Sequence, residues 1–170
     1  KVLQQSIEST VHVIINSLNN NGKLLLCGNG GSAADAQHIA AEFTGKFYYD
    51  RPPLFAEALH VNSSFITAVA NDYSYDEIYS RLVLAKGKNN DVLIGISTSG
   101  NSINIIKAMK VAQELKMVTI GLTGETGGEI KSYSDILLNV PSKDTPRIQE
   151  AHILIGHIIC EIVETKLFPI

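Results

Sequence analysis

Apolar and polar residues follow two periods along this chain, and the alternation of the two indicates the fold class. Short apolar runs predict five buried strands, at about 23–27, 55–59, 91–97, 117–122 and 135–140. Apolar residues repeat at helical spacing in the stretches at about 2–20, 32–44, 63–69, 75–86, 102–115 and 146–168. Because strands and helices alternate, we expect an α/β fold, a three-layer αβα sandwich with a five-stranded parallel sheet of the flavodoxin or Rossmann-like kind.

The most informative stretch joins the third predicted strand to the helix that follows it. Its hydroxyl side chains are those of Ser97, Thr98, Ser99 and Ser102. A helix N-terminus carries unpaired N–H groups and partial positive charge, so hydroxyls beside it predict an anion site. The loop has no Lys or Arg and no Gly-Lys-Ser/Thr, which excludes a nucleotide P-loop and favours a phosphate monoester on a small polar molecule. The alternative is an ordinary capped helix after a strand.

A second turn of this kind follows the first predicted strand, in the segment Gly28–Ser32. Gly28, Gly30 and Ala33 also satisfy Gly-x-Gly-x-x-Ala, the weak form of a dinucleotide fingerprint. That fingerprint requires an acidic residue at the end of the next strand. This chain instead has the sequence His-Val-Asn there, at residues 60–62. A nicotinamide cofactor is therefore the less favoured alternative, and we expect the two turns to line one polar crevice.

The bulk composition excludes several classes of protein. A length of 170 residues fits one domain, and a net charge of −3 without a Lys/Arg cluster argues against a nucleic-acid partner. No apolar run is as long as a membrane span, and the N-terminal stretch is amphipathic rather than a signal peptide, although Lys1 leaves room for residues upstream. Cys27 and Cys160 lie in apolar runs, which indicates buried thiols in a reducing compartment, and we expect a cytoplasmic protein.

Two helices carry candidate metal ligands. His38 and Glu42 are four residues apart and share one helix face, a spacing that suits two ligands of one metal or a ligand beside a base. A solvated or hydrogen-bonded pair is the alternative. Gln149 and His157 lie on the final predicted helix, about 12 Å apart along its axis. Because one small ion cannot readily reach both, neighbouring subunits are expected to complete a shared site.

Several of these residues fall in short segments that occur together in one known family. The segments are Cys27–Ser32, Gln37–Glu42, Asn71–Asp72, Ile96–Ser102, Arg147–His152 and the single residue His157. In this order they resemble the sugar isomerase (SIS) family, and specifically its phosphoheptose isomerases. The resemblance covers about residues 3–166 and implies a single SIS domain, with the SIS fold, over 1–170.

The resemblance also implies a role for each candidate residue. In the family, one Zn²⁺ per subunit is held by the residues that match His38, Glu42, Gln149 and His157. The substrate phosphate is held by the residues that match Ser97, Thr98, Ser99 and Ser102. The sugar is contacted by the residues that match Asn29, Gly30, Gly31, Ser32, Glu42, Asn71, Asp72 and Gln149.

The activity that the resemblance implies is the conversion of sedoheptulose 7-phosphate to D-glycero-D-manno-heptose 7-phosphate through an enediol or enediolate. The product serves bacterial heptose synthesis for lipopolysaccharide or capsule. Glu42 is the expected base for the carbon-bound proton, and His157 is expected to move the proton between oxygens. The metal is expected to polarise the carbonyl.

The expected partners are the phosphosugar and further copies of the chain. The family resemblance points to a homotetramer, with the helices at about 2–20 and 146–168 in the interface. The final helix is more widely apolar than a surface helix requires. A rival interpretation comes from relatives that keep the fold but act as non-catalytic binding proteins of the replication initiator DnaA. Because that branch lacks the carboxylate and the last-helix histidine, Glu42 and His157 favour the enzyme.

Overall fold

The computed structural model describes residues 2–169, which form a five-stranded, all-parallel sheet covered by helices. The strands are β1 (Leu24–Gly28), β2 (Ala56–Ala58), β3 (Val92–Ser97), β4 (Val118–Thr123) and β5 (Ile136–Asn139). Their order across the sheet is β2-β1-β3-β4-β5. The predicted fold class is therefore confirmed, and each observed strand lies within two residues of its predicted bounds at either end.

The helices also match the apolar periodicity. They are α1 (Val2–Asn19), α2 (Gly31–Thr44), α3 (Ser63–Asp72), α4 (Ile78–Lys86), α5 (Ile103–Glu114) and α6 (Thr145–Leu167). The helix predicted over 75–86 begins with a separate 3₁₀ turn at Tyr75–Glu77, and a second 3₁₀ turn at Glu129–Tyr133 was not predicted. Pro146 occupies the first turn of α6, where a missing backbone N–H is tolerated.

Both faces of the sheet are buried, as expected for parallel strands. All five residues of β1 are buried, although their side chains point alternately to opposite faces. One face packs against α1, α2 and α6, through residues such as Ile14, Phe43 and Ile155. The other packs against α3, α4 and α5, through residues such as Val83 and Met109. These two cores make the three layers.

Helices α2 and α6 pack against each other closely, and this contact positions the candidate site. Gly156 of α6 faces Ile39 of α2, and a Cβ on that glycine would lie 2.6 Å from the Ile39 Cδ1 atom. The absent side chain therefore lets the two helices approach. As a result, residues that are far apart in sequence meet along one helix–helix seam.

The two cysteines are buried free thiols, as the sequence predicted. Burial raises the pKa of the Cys160 thiol to about 12. Burial also raises the pKa of Cys27. Both side chains therefore pack as small apolar groups rather than as nucleophiles.

Candidate active site

The two glycine- and serine-rich turns lie side by side at the carboxyl edge of the sheet. Strand β1 pairs with β2 on one side and with β3 on the other, and its last residue, Gly28, pairs with Ile96 of β3. Ligands of open α/β sheets bind where the strand order reverses in this way. The turns are also joined directly, because the Asn29 and Asn104 carboxamides exchange two hydrogen bonds of 2.9 Å. The two turns are therefore neighbours at this edge, and the polar crevice expected between them stays a prediction.

The first turn leaves the start of α2 open. Gly30 precedes α2 with a φ of 55°, a left-handed conformation that glycine adopts without steric cost. Lacking a side chain, it makes no side-chain cap. The N–H groups of residues 32–34 already donate to backbone carbonyls, so this end offers an anion mainly the partial positive charge of the helix. Gly31 leaves room for α6, because a Cβ there would lie 2.5 Å from the Gln149 Nε2 atom.

The second turn gathers hydroxyl groups. Ser97 Oγ lies 3.0 Å from Ser102 Oγ and 3.5 Å from Ser99 Oγ, and the backbone N–H of Asn101 donates to Ser99 Oγ at 3.1 Å. Gly100 has a φ of 69°, and a Cβ there would lie 2.2 Å from the Gly127 carbonyl oxygen. We call residues 97–102 the hydroxyl loop. Its neutral donors beside the start of α5 suit an anion.

A neighbouring loop holds the hydroxyl loop in shape. The Gly124 N–H donates to the Thr98 carbonyl at 3.0 Å, and the Ile130 N–H donates to the Gly100 carbonyl at 2.9 Å. Gly124 belongs to the glycine-rich segment 123–128, and Ile130 follows that segment by two residues. The segment is a loop, and it also supports the predicted anion site.

A cavity of about 220 Å³ opens beside Thr98 and Ser99. Lys143 lines it, with Nζ 3.7 Å from the Glu125 carboxylate. The fold therefore brings a cation to a turn whose own sequence has none. The remaining lining residues are Thr126, Ser142, Thr145 and Ile148.

Three ligand-type side chains converge where α2 meets α6. His38 Nε2 lies 3.1 Å from Glu42 Oε1 and 3.4 Å from His157 Nε2. One ligating atom from each of the three lies within 4.8 Å of the other two. We call this group the metal triplet. Its nitrogen and oxygen donors fit a divalent cation such as zinc, and a carboxylate beside an imidazole also suits proton transfer.

Gln149, the fourth predicted ligand, lies elsewhere on the same seam. Its carboxamide packs at Gly31, which precedes His38 by seven residues, or about 10 Å along the axis of α2. Within one chain, α6 thus places His157 in the metal triplet and Gln149 beside the first turn. The metal-binding role of Gln149 stays a prediction.

Comparisons with known proteins agree on one family. A family model described as the SIS domain matches residues 1–124. The chain is 59% identical over 164 residues to a phosphoheptose isomerase of Clostridium acetobutylicum, covering 96% of this chain and 84% of that protein. A phosphoheptose isomerase of Helicobacter pylori is 54% identical over 162 residues, with 95% and 84% covered. The chain belongs to the phosphoheptose isomerase family.

A solved structure of the family extends this likeness to three dimensions. Phosphoheptose isomerase GmhA from Neisseria gonorrhoeae superimposes with a TM-score of 0.91 at 47% identity, covering 96% of this chain and 88% of that one. Membership of this enzyme family makes the chain a sugar-phosphate isomerase. The non-catalytic alternative is not favoured by these relatives.

Two further residues that are predicted to contact the sugar lie at the end of α3. Asn71 and Asp72 are exposed there, and the Asn71 Nδ2 group donates to Asp72 Oδ1 at 2.9 Å. Ser32, by contrast, is buried at the start of α2. The contacts of these residues with a sugar stay predictions.

Sequence reasoning missed Asp35, which lies on the same face of α2 as the metal triplet. Its Oδ2 atom is buried without a hydrogen-bond partner among the described residues. Burial raises the pKa of Asp35, and the nearby His38 acts in the opposite direction. The signal in the sequence was the spacing of Gly31, Asp35, His38 and Glu42, which is four, three and four residues.

Sequence reasoning also missed the partners that orient Asn29. Its Oδ1 atom accepts from Asn104 Nδ2 at 2.9 Å and from the Tyr75 hydroxyl at 3.1 Å. Asn104 is buried, and Tyr75 belongs to the 3₁₀ turn before α4. No periodicity could have indicated these contacts, because three separate segments supply them.

Within residues 2–169, no helix combines the length and the apolar character needed to cross a bilayer.

Proposed function

We propose that this chain interconverts sedoheptulose 7-phosphate and D-glycero-D-manno-heptose 7-phosphate for bacterial heptose synthesis, feeding lipopolysaccharide or capsule. The observation that carries the proposal is the metal triplet. Glu42 and His157, a carboxylate and an imidazole, both lie beside His38 in a chain of the phosphoheptose isomerase family. An aldose–ketose isomerase requires groups of these two kinds to move protons.

The chemistry assigns a separate task to each of the two groups. Starting from the ketose, the Glu42 carboxylate removes a proton from C1, and the C1–H electron pair forms the C1=C2 bond of the enediolate. His157 moves a proton between the oxygens on C2 and C1. Glu42 then returns its proton to C2, so that the aldehyde forms at C1. No atoms are gained or lost, as an isomerisation requires.

The rest of the site holds the substrate in register. Hydroxyls of Ser97, Thr98, Ser99 and Ser102 bind the phosphate in this proposal, and Asn29, Gly30, Gly31, Ser32, Asn71, Asp72 and Gln149 meet the sugar. Binding energy from the phosphate, remote from the reacting carbons, fixes those carbons against the base.

We further propose that His38, Glu42, Gln149 and His157 hold a zinc ion. The fit rests on the three converging donors of the metal triplet, two imidazole nitrogens and a carboxylate oxygen. A bound divalent cation supplies Lewis acidity that polarises a carbonyl and stabilises negative charge on its oxygen. Glu42 has a second carboxylate oxygen for proton transfer, so the two roles are compatible.

The test is to incubate the chain with sedoheptulose 7-phosphate and to follow the aldose by NMR. We expect the aldose to appear, turnover to fall after chelation, and added Zn²⁺ to restore it. Full turnover by metal-stripped protein would remove the metal from the proposal but leave the isomerase. Absence of the aldose under all metal conditions would overturn the proposed function.

We also propose a homotetramer whose sites are shared between chains. Large apolar side chains are exposed on separate elements, among them Tyr48, Ile103 and Leu154. Because the metal triplet assembles within one chain, sharing would join it to the hydroxyl loop of a neighbour. Mixing inactive Glu42→Gln protein with inactive Ser99→Asp protein should then restore activity. A fully active monomer would contradict the proposal.

A further inference from the structure

Glu164, near the end of α6, is a buried carboxylate outside the metal triplet. It accepts three consecutive backbone N–H groups, those of Phe47, Tyr48 and Tyr49, at 2.9, 2.6 and 3.2 Å. Arg51 Nε donates to it at 2.8 Å, and the two side chains are 3% and 1% exposed. Burial acts to raise the pKa of Glu164, but these four donors outweigh it and lower the pKa. Glu164 and Arg51 therefore form a charged ion pair, and each carboxylate oxygen of Glu164 accepts two hydrogen bonds.

The other end of Arg51 caps helix α2. Its Nη2 atom donates to the Glu42 carbonyl at 2.9 Å, and Nη1 donates to the Phe43 carbonyl at 2.8 Å. Helix α2 ends at Thr44, and backbone carbonyls in a last turn lack the N–H partners found further inside a helix. The backbone of Glu42 is therefore anchored by Arg51, which in turn is held by Glu164.

The same carboxylate also anchors a neighbour of His157. Phe47, whose N–H binds Glu164, places its ring with the centroid 5.7 Å from that of His157. We propose that the Arg51–Glu164 ion pair positions the two proton-transferring groups of the site, Glu42 through its backbone and His157 through Phe47. Arg51 and Glu164 are positioning residues, and this inference rests on the proposed function.

Glu164→Gln is the sharpest variant because it preserves shape. Each carboxylate oxygen accepts two N–H groups, so an NH₂ in place of either oxygen would face two donors. The hydroxyl loop is supported by other segments and should not respond. We expect kcat to fall by about ten-fold or more, since a misplacement of 1 Å costs up to about 10²-fold. The Kd for sedoheptulose 7-phosphate should stay close to that of the wild type.

Asp91→Asn is the matched control. Asp91 is also a buried carboxylate, and it accepts Lys23 Nζ at 2.6 Å and the backbone N–H groups of Lys23 and Lys88 at 3.1 and 2.8 Å. It precedes β3 and thus lies at the opposite edge of the sheet from the candidate site. Both variants should lower Tm, but only Glu164→Gln should lower kcat.

Two milder variants keep the test decisive if Glu164→Gln does not fold. Arg51→Lys retains the charge beside Glu164 and loses the forked donation to α2, so kcat should fall partially. Phe47→Leu keeps every backbone donor and removes the ring beside His157. Its kcat should again fall, while its Kd for the phosphosugar should stay unchanged.

The experiment measures kcat, the Kd by calorimetry and Tm for the wild type and each variant. A wild-type chain without isomerase activity overturns the proposed function and this inference with it. An active wild type, combined with a kcat for Glu164→Gln no lower than that of Asp91→Asn, overturns the inference alone. Parallel losses of kcat and phosphosugar affinity also overturn it, because they indicate a general structural effect.

Discussion

The hydroxyl loop and the metal triplet are assembled in opposite ways. The hydroxyl loop is six consecutive residues that run from the last residue of β3 to the start of α5, and its serine side chains contact one another. The metal triplet joins two residues of α2 to His157, which is 119 positions after His38. The loop therefore depends on local backbone conformation, whereas the triplet depends on how α2 packs against α6. Distant changes should consequently disturb the triplet first.

The two regions also differ in the kind of group they offer. The hydroxyl loop presents neutral donors beside the N-terminus of α5, which suit a fixed anion. The metal triplet presents an ionisable carboxylate and two imidazoles, which suit proton transfer and cation binding. Substrate affinity and turnover should therefore be separable by mutation.

The largest expected effect is the loss of turnover in Glu42→Gln. The amide keeps the shape of the carboxylate but cannot take a carbon-bound proton, so kcat should fall by at least about 10²-fold. Phosphosugar affinity, measured by calorimetry, should be retained. The matched control is Glu161→Gln, the same change at an exposed position of α6. Near-normal kcat in Glu42→Gln would rule Glu42 out as the base.

Ser102→Ala in the hydroxyl loop is expected to lower affinity for the phosphosugar. Loss of a hydroxyl donor to an anion costs about 1.5–3 kcal/mol, so affinity for sedoheptulose 7-phosphate should fall about 10- to 150-fold. Affinity for unphosphorylated sedoheptulose should not change, and Ser64→Ala, at an exposed serine of α3, serves as the control variant. Equal losses for both sugars would mean that the loop has only a structural role.

Zinc affinity should respond to changes in the metal triplet and not to changes in the hydroxyl loop. We expect His157→Ala to weaken zinc binding by more than about ten-fold, the effect typical of losing even an outer partner of a ligand. Ser102→Ala should leave zinc affinity unchanged. Competition with a chromogenic chelator measures both. If both variants bind zinc like the wild type, the metal triplet is not the zinc site.

The smallest expected effect is on stability in acid. The pKa of Glu164 is lower in the folded chain than its ordinary value of 4.5, so its stabilising contribution is fully present above that pH. This contribution is lost as pH falls through the folded pKa. Urea unfolding at pH 7 and at progressively lower pH should show a smaller loss of unfolding free energy for Glu164→Gln than for the wild type. Identical pH dependence would show that Glu164 does not contribute.

Most helices and strands could be predicted because their signals are local. The residues of β1 and β3 are buried throughout since both faces of the sheet are covered, and α6 begins where Pro146 favours a first turn. The separate 3₁₀ turn before α4 escaped prediction. There the Ser74 hydroxyl accepts the Asp76 N–H at 3.1 Å, a capping contact that apolar periodicity does not register.

The candidate site was partly predictable for the same reason. The hydroxyl loop could be recognised because its donors are neighbours in sequence, and His38 with Glu42 because they share a helix face. Arg51 and Glu164 gave no such signal. They are 113 residues apart, and each taken alone is an ordinary charged residue.

The sequence by itself determined the alternation of strands and helices, the two polar turns and the residue types available for chemistry, since all of these depend on neighbours within one or two turns. Only the tertiary structure decided the strand order, the contact of Gly156 with Ile39 and the meeting of His157 with His38. It also decided that Gln149 lies against Gly31. The physical reason is that these contacts depend on side-chain volume between elements, and periodicity within one element carries no information about what will pack against it.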